Sequence, residues 1–428
     1  MEGDMRTVDV VVVGGGIAGL VAAAFASKAG AGVLLLEASP AFGGRARTRV
    51  VSGYHFNQGA HALYRGGFLD KALQDLGVEV TGSVPALADG FFVNDGELHQ
   101  APFSAAGLAS TTLLSDAEKG EMASLFRRLR DGSTQVSPGT SLNDALAALS
   151  PSPRVRAVLA AMVRLTSIVH APIAADGLAL LDQLRGGLTR SVLYLDGGWA
   201  TMVEGLRSAC AALGACLRPG ARVEGIEHGS SWCATLADGT AVTARAVILA
   251  VAPAQAAALY PALKDLRGTI DAVPAKVACL DIGLAHLPRP DVRFALGVDR
   301  PLYFSVHSAA ARLAPEGAAL VHTMRYLEPD ETPDRDRLMA ELEGYMDLVQ
   351  PGWRELERAR RFLPAMSVIS AIPRAATGGL GGRPDIAAGN AEGLFICGDW
   401  VGPVGLLSDA AAVSGRSAGE AASVSARP

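Results

Sequence analysis

Short apolar runs and helical periods alternate along this chain from its first residues. Val8-Asp9-Val10-Val11-Val12-Val13 is a run of β-branched residues with one polar break. Continuous runs of this kind mark parallel strands covered on both faces. Gly14-Gly15-Gly16-Ile17-Ala18-Gly19 follows directly, then an Ala-rich helical stretch, then Val33–Leu36 ending at Glu37. Strand, glycine turn, helix, strand and acid in that order predict one βαβ unit. Further on, Leu69–Leu76 and Asp334–Val349 repeat apolar residues at helical spacing. Residues 115–188 read as mostly helical between Pro138, Pro151, Pro153 and Pro172. Hairpins are predicted at Asp95-Gly96 within Phe91–Leu98, and at Asp238-Gly239 between Trp232–Leu236 and Ala241–Thr243. A helix is predicted from Trp199 to Leu213, with strands at Arg222–Ile226 and, separately, Ala246–Val251. Residues 275–284 and 293–325 alternate as antiparallel strands do. A strand entering a Gly398-Asp399 turn and a helix of small residues over Leu407–Ala422 complete the pattern.

The opening unit has a physical logic. Gly14 permits the tight turn, Gly16 lets the backbone approach a pyrophosphate, and Gly19 lets helix and strand pack closely. The helix N-terminus offers free N–H groups to phosphates. Glu37 can accept both hydroxyls of an adenosine ribose and would repel a 2′-phosphate, which argues against NADP. The unit alone specifies a dinucleotide, and NAD satisfies it as well as FAD. The α/β pieces recur at the start, middle and end of the chain. The expected division is therefore 1–66, 191–261 and 389–428 for a Rossmann-like cofactor domain. Residues 67–190 and 262–388 would form a substrate domain of antiparallel sheet plus helices.

Composition narrows the picture. The chain has 428 residues, 50% hydrophobic and 19% charged, which favours a large buried core. A formal net charge of -5 gives no case for nucleic acid. No long apolar stretch is free of charge or repeated glycine, so no spanning helix is expected. The start lacks the plan of a secretory signal. Five cysteines with no CxxC fit reduced thiols in a cytoplasmic protein. The eight histidines show no metal spacing, so no metal is expected. Ala101–Leu114 is apolar enough either to join a core or to touch a bilayer at its surface.

Gly43-Gly44-Arg45-Ala46-Arg47-Thr48 resembles the GGRxxT motif of the flavoprotein superfamily that contains phytoene desaturases, protoporphyrinogen oxidase and the flavin amine oxidases. The resemblance implies FAD, with Arg45 beside the pyrophosphate. Phe56–His61 resembles that family's strand beside the flavin ring, with Asn57 in place of the usual acid. Val223 is similar to the residue that holds the adenine edge by its backbone. Gly398-Asp399 resembles the C-terminal turn that meets the ribityl chain, and Leu407-Ser408 the helix start facing flavin N1 and O2. The resemblance extends the implied cofactor contacts to Ile17, Ala18, Ala38, Gly59, Ala60 and His61.

A flavin of this type takes a hydride at N5, so the protein needs to supply orientation and a dry site more than a nucleophile. The resemblance offers Lys276 as the lysine that holds a water near N5; an exposed strand lysine is the plain alternative. His61 is a candidate proton acceptor or a structural histidine. Trp400 is a candidate cavity residue or a core residue. Cys397 invites a covalent flavin link, but a core thiol is the simpler reading. The resemblance implies that amine oxidases of this superfamily carry an aromatic pair that sandwiches the amine near the flavin; the equivalent region here, Ala371–Gly378, has no aromatic residue. That favours dehydrogenation of an apolar, isoprenoid-like or natural-product substrate over amine or amino-acid oxidation. A non-catalytic binding protein on the same architecture is the third reading, because fold does not settle function.

Overall fold

Arg6–Val13 lies between Val33–Glu37 and Ala241–Leu249, parallel to both, at the centre of a seven-stranded sheet. The coordinates are a computed structural model that describes residues 6–86, 90–266, 272–387, 389 and 391–427. The proposed domain ends at 1, 388 and 428 lie outside these residues. Side chains alternate across a strand, and the valine run uses both faces. Val10 and Val12 pack with the helix Ile17–Lys28, whereas Val11 and Val13 pack with Trp232 and Trp400. The one polar break, Asp9, has a partner in the adjacent strand: Arg245 Nη1 lies 2.8 Å from its carboxylate.

That pair explains a correction. Ala241–Thr243 and Ala246–Val251 are not separate strands but one, Ala241–Leu249. Its first half pairs antiparallel with Trp232–Leu236 and its second half parallel with Leu394–Ile396. The last helix, Leu407–Ser425, lies against Ile17–Lys28. A Cβ on Gly415 would sit 2.5 Å from the Ala18 carbonyl oxygen, and one on Gly419 2.3 Å from that of Ala22. Small residues are thus a packing requirement of this helix pair.

The second seven-stranded sheet runs Glu357–Ile369, Ala275–Leu284, Ala319–Leu327, Leu302–Val306, Phe294–Gly297, Phe91–Asn94, Glu97–Gln100. It is antiparallel, as expected of the substrate domain, except where Phe294–Gly297 meets Phe91–Asn94 in parallel. One face, with Val277, Cys279, Tyr303 and Met324, packs on helices that include Pro153–Ser167 and Gly177–Thr189. The other face, with Ala278, Leu280 and Ile282, is covered by Arg335–Val349. The helix Phe68–Asp75 falls beyond the expected boundary at 66, yet its Leu69, Ala72 and Leu73 join the first sheet's core. Ala101, Leu113 and Leu114 are core residues, so these apolar positions do not face a bilayer. Among the described residues no helix is long and apolar enough to cross a membrane.

Candidate functional site

A cavity of about 630 Å³ is lined from both sheets. Its glycine-rich end is built by the two turns Gly14–Gly16 and Gly43-Gly44, which touch at a Gly16–Gly43 bridge. The three motif glycines have different reasons to be glycine. Gly14 has φ +106° and its Cβ would lie 2.5 Å from the Ala250 oxygen. A Cβ on Gly19 would lie 1.9 Å from the Gly14 oxygen. Both are demanded by the fold. Gly16 has φ -76°, and a Cβ there would meet nothing within 4 Å. Only an occupant of the cavity gives Gly16 a reason to lack a side chain, and a pyrophosphate at a helix N-terminus is such an occupant.

Glu37 lines the same end. Its Oε2 accepts from the Gly15 amide and its Oε1 from the Ser39 amide, each at 2.7 Å. These bonds orient the carboxylate and leave lone pairs for ribose hydroxyls. Arg45 Nη1 donates to Asp399 Oδ2 at 2.7 Å and to the Val368 carbonyl at 2.6 Å. The GGR turn and the C-terminal Gly-Asp turn, 354 residues apart, thus meet in the wall. Burial pushes the Asp399 carboxyl up, but the Arg45 guanidinium and the Ser370 amide outweigh it and hold it below the usual range. Its Oδ1 is buried without a partner, an acceptor suited to a hydroxyl of the ribityl chain. The donor set therefore fits FAD.

Of the expected cofactor residues, Gly14, Gly16, Ile17, Ala18, Glu37, Gly43, Gly44 and Arg45 line the cavity. So do Ala60, His61, Gly398, Asp399, Leu407 and Ser408. Gly19, Ala38, Gly59, Val223 and Lys276 do not. Gly19 packs helix on strand, and Ala38 is exposed just past its strand. Val223 is buried in the core around Trp232. Gly59 sits behind the wall with φ +78° and accepts from His61 Nδ1 at 3.1 Å. Lys276 is one residue from Val277, which is buried on the helix-covered face of its sheet, so strand alternation turns Lys276 to the opposite face.

His61 lines the cavity edge-on to Trp199, with ring centroids 4.7 Å apart. Its bond to the Gly59 carbonyl makes Nδ1 the protonated nitrogen, leaving the Nε2 lone pair. Burial pushes its pKa down to about 4, so the ring is neutral near neutral pH. Trp400 lines the cavity while its Nε1 donates to Val251 O at 3.0 Å, so it is both wall and core. Cys397 is also in the wall, and burial pushes its thiol up, which keeps it protonated.

Asn57 has a structural task. Its Oδ1 accepts from the Trp199 amide at 2.9 Å and from Thr48 Oγ1, which itself accepts from the Ala200 amide. Two side chains from the Thr48–Val51/Tyr54–Asn57 hairpin thereby cap the helix Trp199–Ala212, whose own N-cap is Gly198. Asn57→Ala should lower the melting temperature, at a cost of about 1–2 kcal/mol, without changing flavin content. Unfolding curves and the flavin released per chain measure both; loss of flavin at unchanged stability would give Asn57 a direct cofactor role.

Tyr194, Tyr303 and His307 also line the cavity, and no local pattern singled them out. One signal was available: Asp281 is a lone polar residue inside the apolar run Ala278–Ile282, and it pairs across the sheet with His322, which follows Ala319-Leu320-Val321 on the neighbouring strand.

The first sheet with its glycine turns, and a cavity shared with a second sheet, define a two-sheet dinucleotide-dependent oxidoreductase architecture. The family model of the flavin-containing amine oxidoreductases matches residues 17–279, more than half of the chain. The chain belongs to that family and is an FAD-dependent oxidoreductase. A carotenoid 3,4-desaturase of Haloarcula japonica is 50% identical over 56 residues, 13% of this chain and 11% of that protein. One component of the limonene dehydrogenase of Castellaniella defragrans is 39% identical over 98 residues, 22% of this chain and 17% of that protein. The matches thus span less than a fifth of those relatives' lengths. An oxidoreductase from Methanosarcina mazei shares the fold at TM-score 0.73 and 20% identity, covering 96% of this chain and 99% of that one.

Proposed function

We propose that this oxidoreductase dehydrogenates an apolar, isoprenoid-like or natural-product substrate. One observation carries the reading. The only carboxylates in the cavity wall among the described residues are Glu37 and Asp399, both at the nucleotide end and both already hydrogen-bonded. The remote wall is apolar and includes Phe103, Met162, Leu165, Leu184, Leu188 and Phe294. A cationic amine would leave water there without an anion to receive it, whereas a hydrocarbon gains about 25 cal/mol for each Å² it buries. The carotenoid desaturase and limonene dehydrogenase similarities point the same way.

The flavin supplies hydride acceptance at N5. The protein's own residues hold and enclose it. In this reading Gly16 makes room for the pyrophosphate, Glu37 receives the adenosine ribose, and Arg45 and Asp399 flank the phosphate and ribityl region. Leu407 and Ser408 present the start of the last helix, whose dipole favours negative charge beside it. Residues 1–66, 191–261 and 389–428, with the helix Phe68–Asp75, form the cofactor unit. Residues 77–190 and 262–388 close the substrate end.

Amine oxidation is the second reading, favoured by the tyrosine rings of Tyr194 and Tyr303 in the wall. Anaerobic mixing separates the two. Limonene or a carotenoid precursor should bleach the bound flavin, and cyclohexylamine should not. Bleaching by the amine alone would replace the proposal with the second reading.

A further inference from the structure

A buried cation stands behind the cavity wall where the Gly398-Asp399 turn meets the last helix. Arg383 Nη1 donates to the Gly405 carbonyl at 2.9 Å. Its Nε and Nη2 are buried with no hydrogen-bond partner. The backbone after it is fixed. The Pro384 carbonyl accepts from the Gly402 amide and the Ile386 carbonyl from the Ile396 amide, each at 2.8 Å. Residues 384–386 thus run beside the strand Leu394–Ile396 and the loop that follows it. Gly405 packs on the first turn of the last helix, where its Cβ would lie 3.1 Å from the Ala410 amide nitrogen. The turn and the helix start both enter the cavity wall, through Asp399, Leu407, Ser408 and Ala411. Arg383 itself does not line the cavity.

The charges behind this wall do not balance. Asp399 is the carboxylate that attracts Arg383. Its Oδ2 is already taken by Arg45 Nη1 at 2.7 Å and by the Ser370 amide at 2.9 Å. Arg45 and Asp399 cancel, which leaves the guanidinium of Arg383 as a surplus. Burial pushes its pKa down to about 10, so the charge persists near neutral pH. Asp409, in the helix's first turn, does not answer it. That carboxylate accepts from the Leu69 amide at 2.9 Å, and its attracting cation is Arg190. The free amides of the helix Leu407–Ser425 add roughly half a positive charge on the same side. A buried charge is costly unless something answers it, and the partner that remains is an occupant of the cavity.

We propose that Arg383 makes this wall an anion-stabilising surface for the flavin ring and so raises the flavin's reduction potential. This rests on the cofactor placement above and is independent of the substrate. A flavin dinucleotide carries negative charge in two places. One is its phosphates; the other, once it is reduced, is the N1–C2=O edge of the ring. The phosphates have the glycine turns, the start of Ile17–Lys28 and Arg45. The wall at Asp399 and Leu407 has a second helix start and a second arginine, and their charge answers the ring. Uptake of a hydride at N5 leaves that edge with one negative charge, which a fixed cation in a dry wall stabilises. Arg383 is a positioning residue: it acts through its charge, from behind the side chains that face the cavity.

The test uses flavin-loaded protein and two readouts that need no substrate. One is the midpoint potential, followed by spectral titration against reference dyes. The other is sulfite, whose sulfur bonds to N5 while an electron pair moves onto the N1–C2=O edge. Wild type should bind sulfite more tightly than free FAD does. Arg383→Met should lower the potential and weaken sulfite binding about tenfold, the scale of one buried charge at short range, at unchanged flavin content. Arg383→Lys, which keeps the charge, should restore most of both. An unchanged potential and sulfite affinity in flavin-loaded Arg383→Met would overturn the proposal. Equal losses in the Met and Lys variants would do so too, since they would assign the effect to the Gly405 hydrogen bond. Wild type that binds sulfite no better than free FAD would overturn it even where Arg383→Met fails to fold. A wild-type chain that takes up no FAD would sink the cofactor placement, and this proposal with it.

Discussion

Gly16→Val should give a folded chain that no longer holds flavin. The backbone at Gly16 is extended, with φ -76° and ψ -174°, which valine adopts readily. Its new side chain would meet no protein atom at Cβ. Nothing in the fold therefore resists the substitution. The same methyls would project where the helix N-terminus and the glycine turns converge, in the space assigned to the pyrophosphate. A loss of about 3 kcal/mol in binding, some two decades in affinity, is the expected scale. The purified variant should be colourless and keep the melting temperature of flavin-stripped wild type. Gly19 makes the contrast. A side chain there would strike the Gly14 carbonyl at 1.9 Å, so its replacement should harm folding first. A yellow Gly16→Val protein with full flavin content would remove the phosphate from this end of the cavity.

Arg361→Leu should destabilise the fold by about 3–5 kcal/mol near neutral pH, because it leaves a buried carboxylate without its cation. Asp281 is fully buried and Arg361 mostly so. Burial pushes the Asp281 pKa up, but His322 and Arg361 outweigh it and hold it below the ordinary value of 3.8. A depressed carboxylate stabilises the folded state above its unfolded pKa, and that contribution is lost as pH falls through the folded pKa. Without Arg361 only His322 and the Cys279 thiol still oppose the burial penalty, so the folded pKa should rise toward the unfolded one. The stability that Asp281 contributes as pH rises then shrinks. The gap between wild type and variant should therefore be large at neutral pH and shrink toward about pH 4. Urea unfolding at the two pH values measures it. A gap that stays the same would mean that Arg361 acts mainly through its contact with the Phe56 ring.

Much of the cofactor end was legible because its chemistry is local. The turn Gly14–Gly19, the strand end at Glu37 and the GGR segment each need particular residues within a few positions, and the structure brings most of them to one cavity. Legibility failed where a role depends on which face of an element a residue takes. Lys276 is the example: shifting by one residue along a strand exchanges one face of the sheet for the other. Val223 is another, since a core valine and a backbone contact look alike in sequence. Asn57, which stands in place of an expected acid, turned out to cap a helix that begins 142 residues later.

The sequence by itself determined the βαβ unit and a dinucleotide, because close backbone approach and phosphate binding require glycine, a helix start and an acid at short spacing. The flavin followed from the resemblance of the GGR and Gly-Asp turns to a flavoprotein family. Only the tertiary structure decided what surrounds the substrate. The apolar wall, the Arg45–Asp399 pair and the Asp281–His322 pair join strands and helices far apart in the chain. Their side chains meet through sheet register and packing, which no local pattern records. The opening glycines also separated there, into two that the fold requires and one, Gly16, that only a bound cofactor explains.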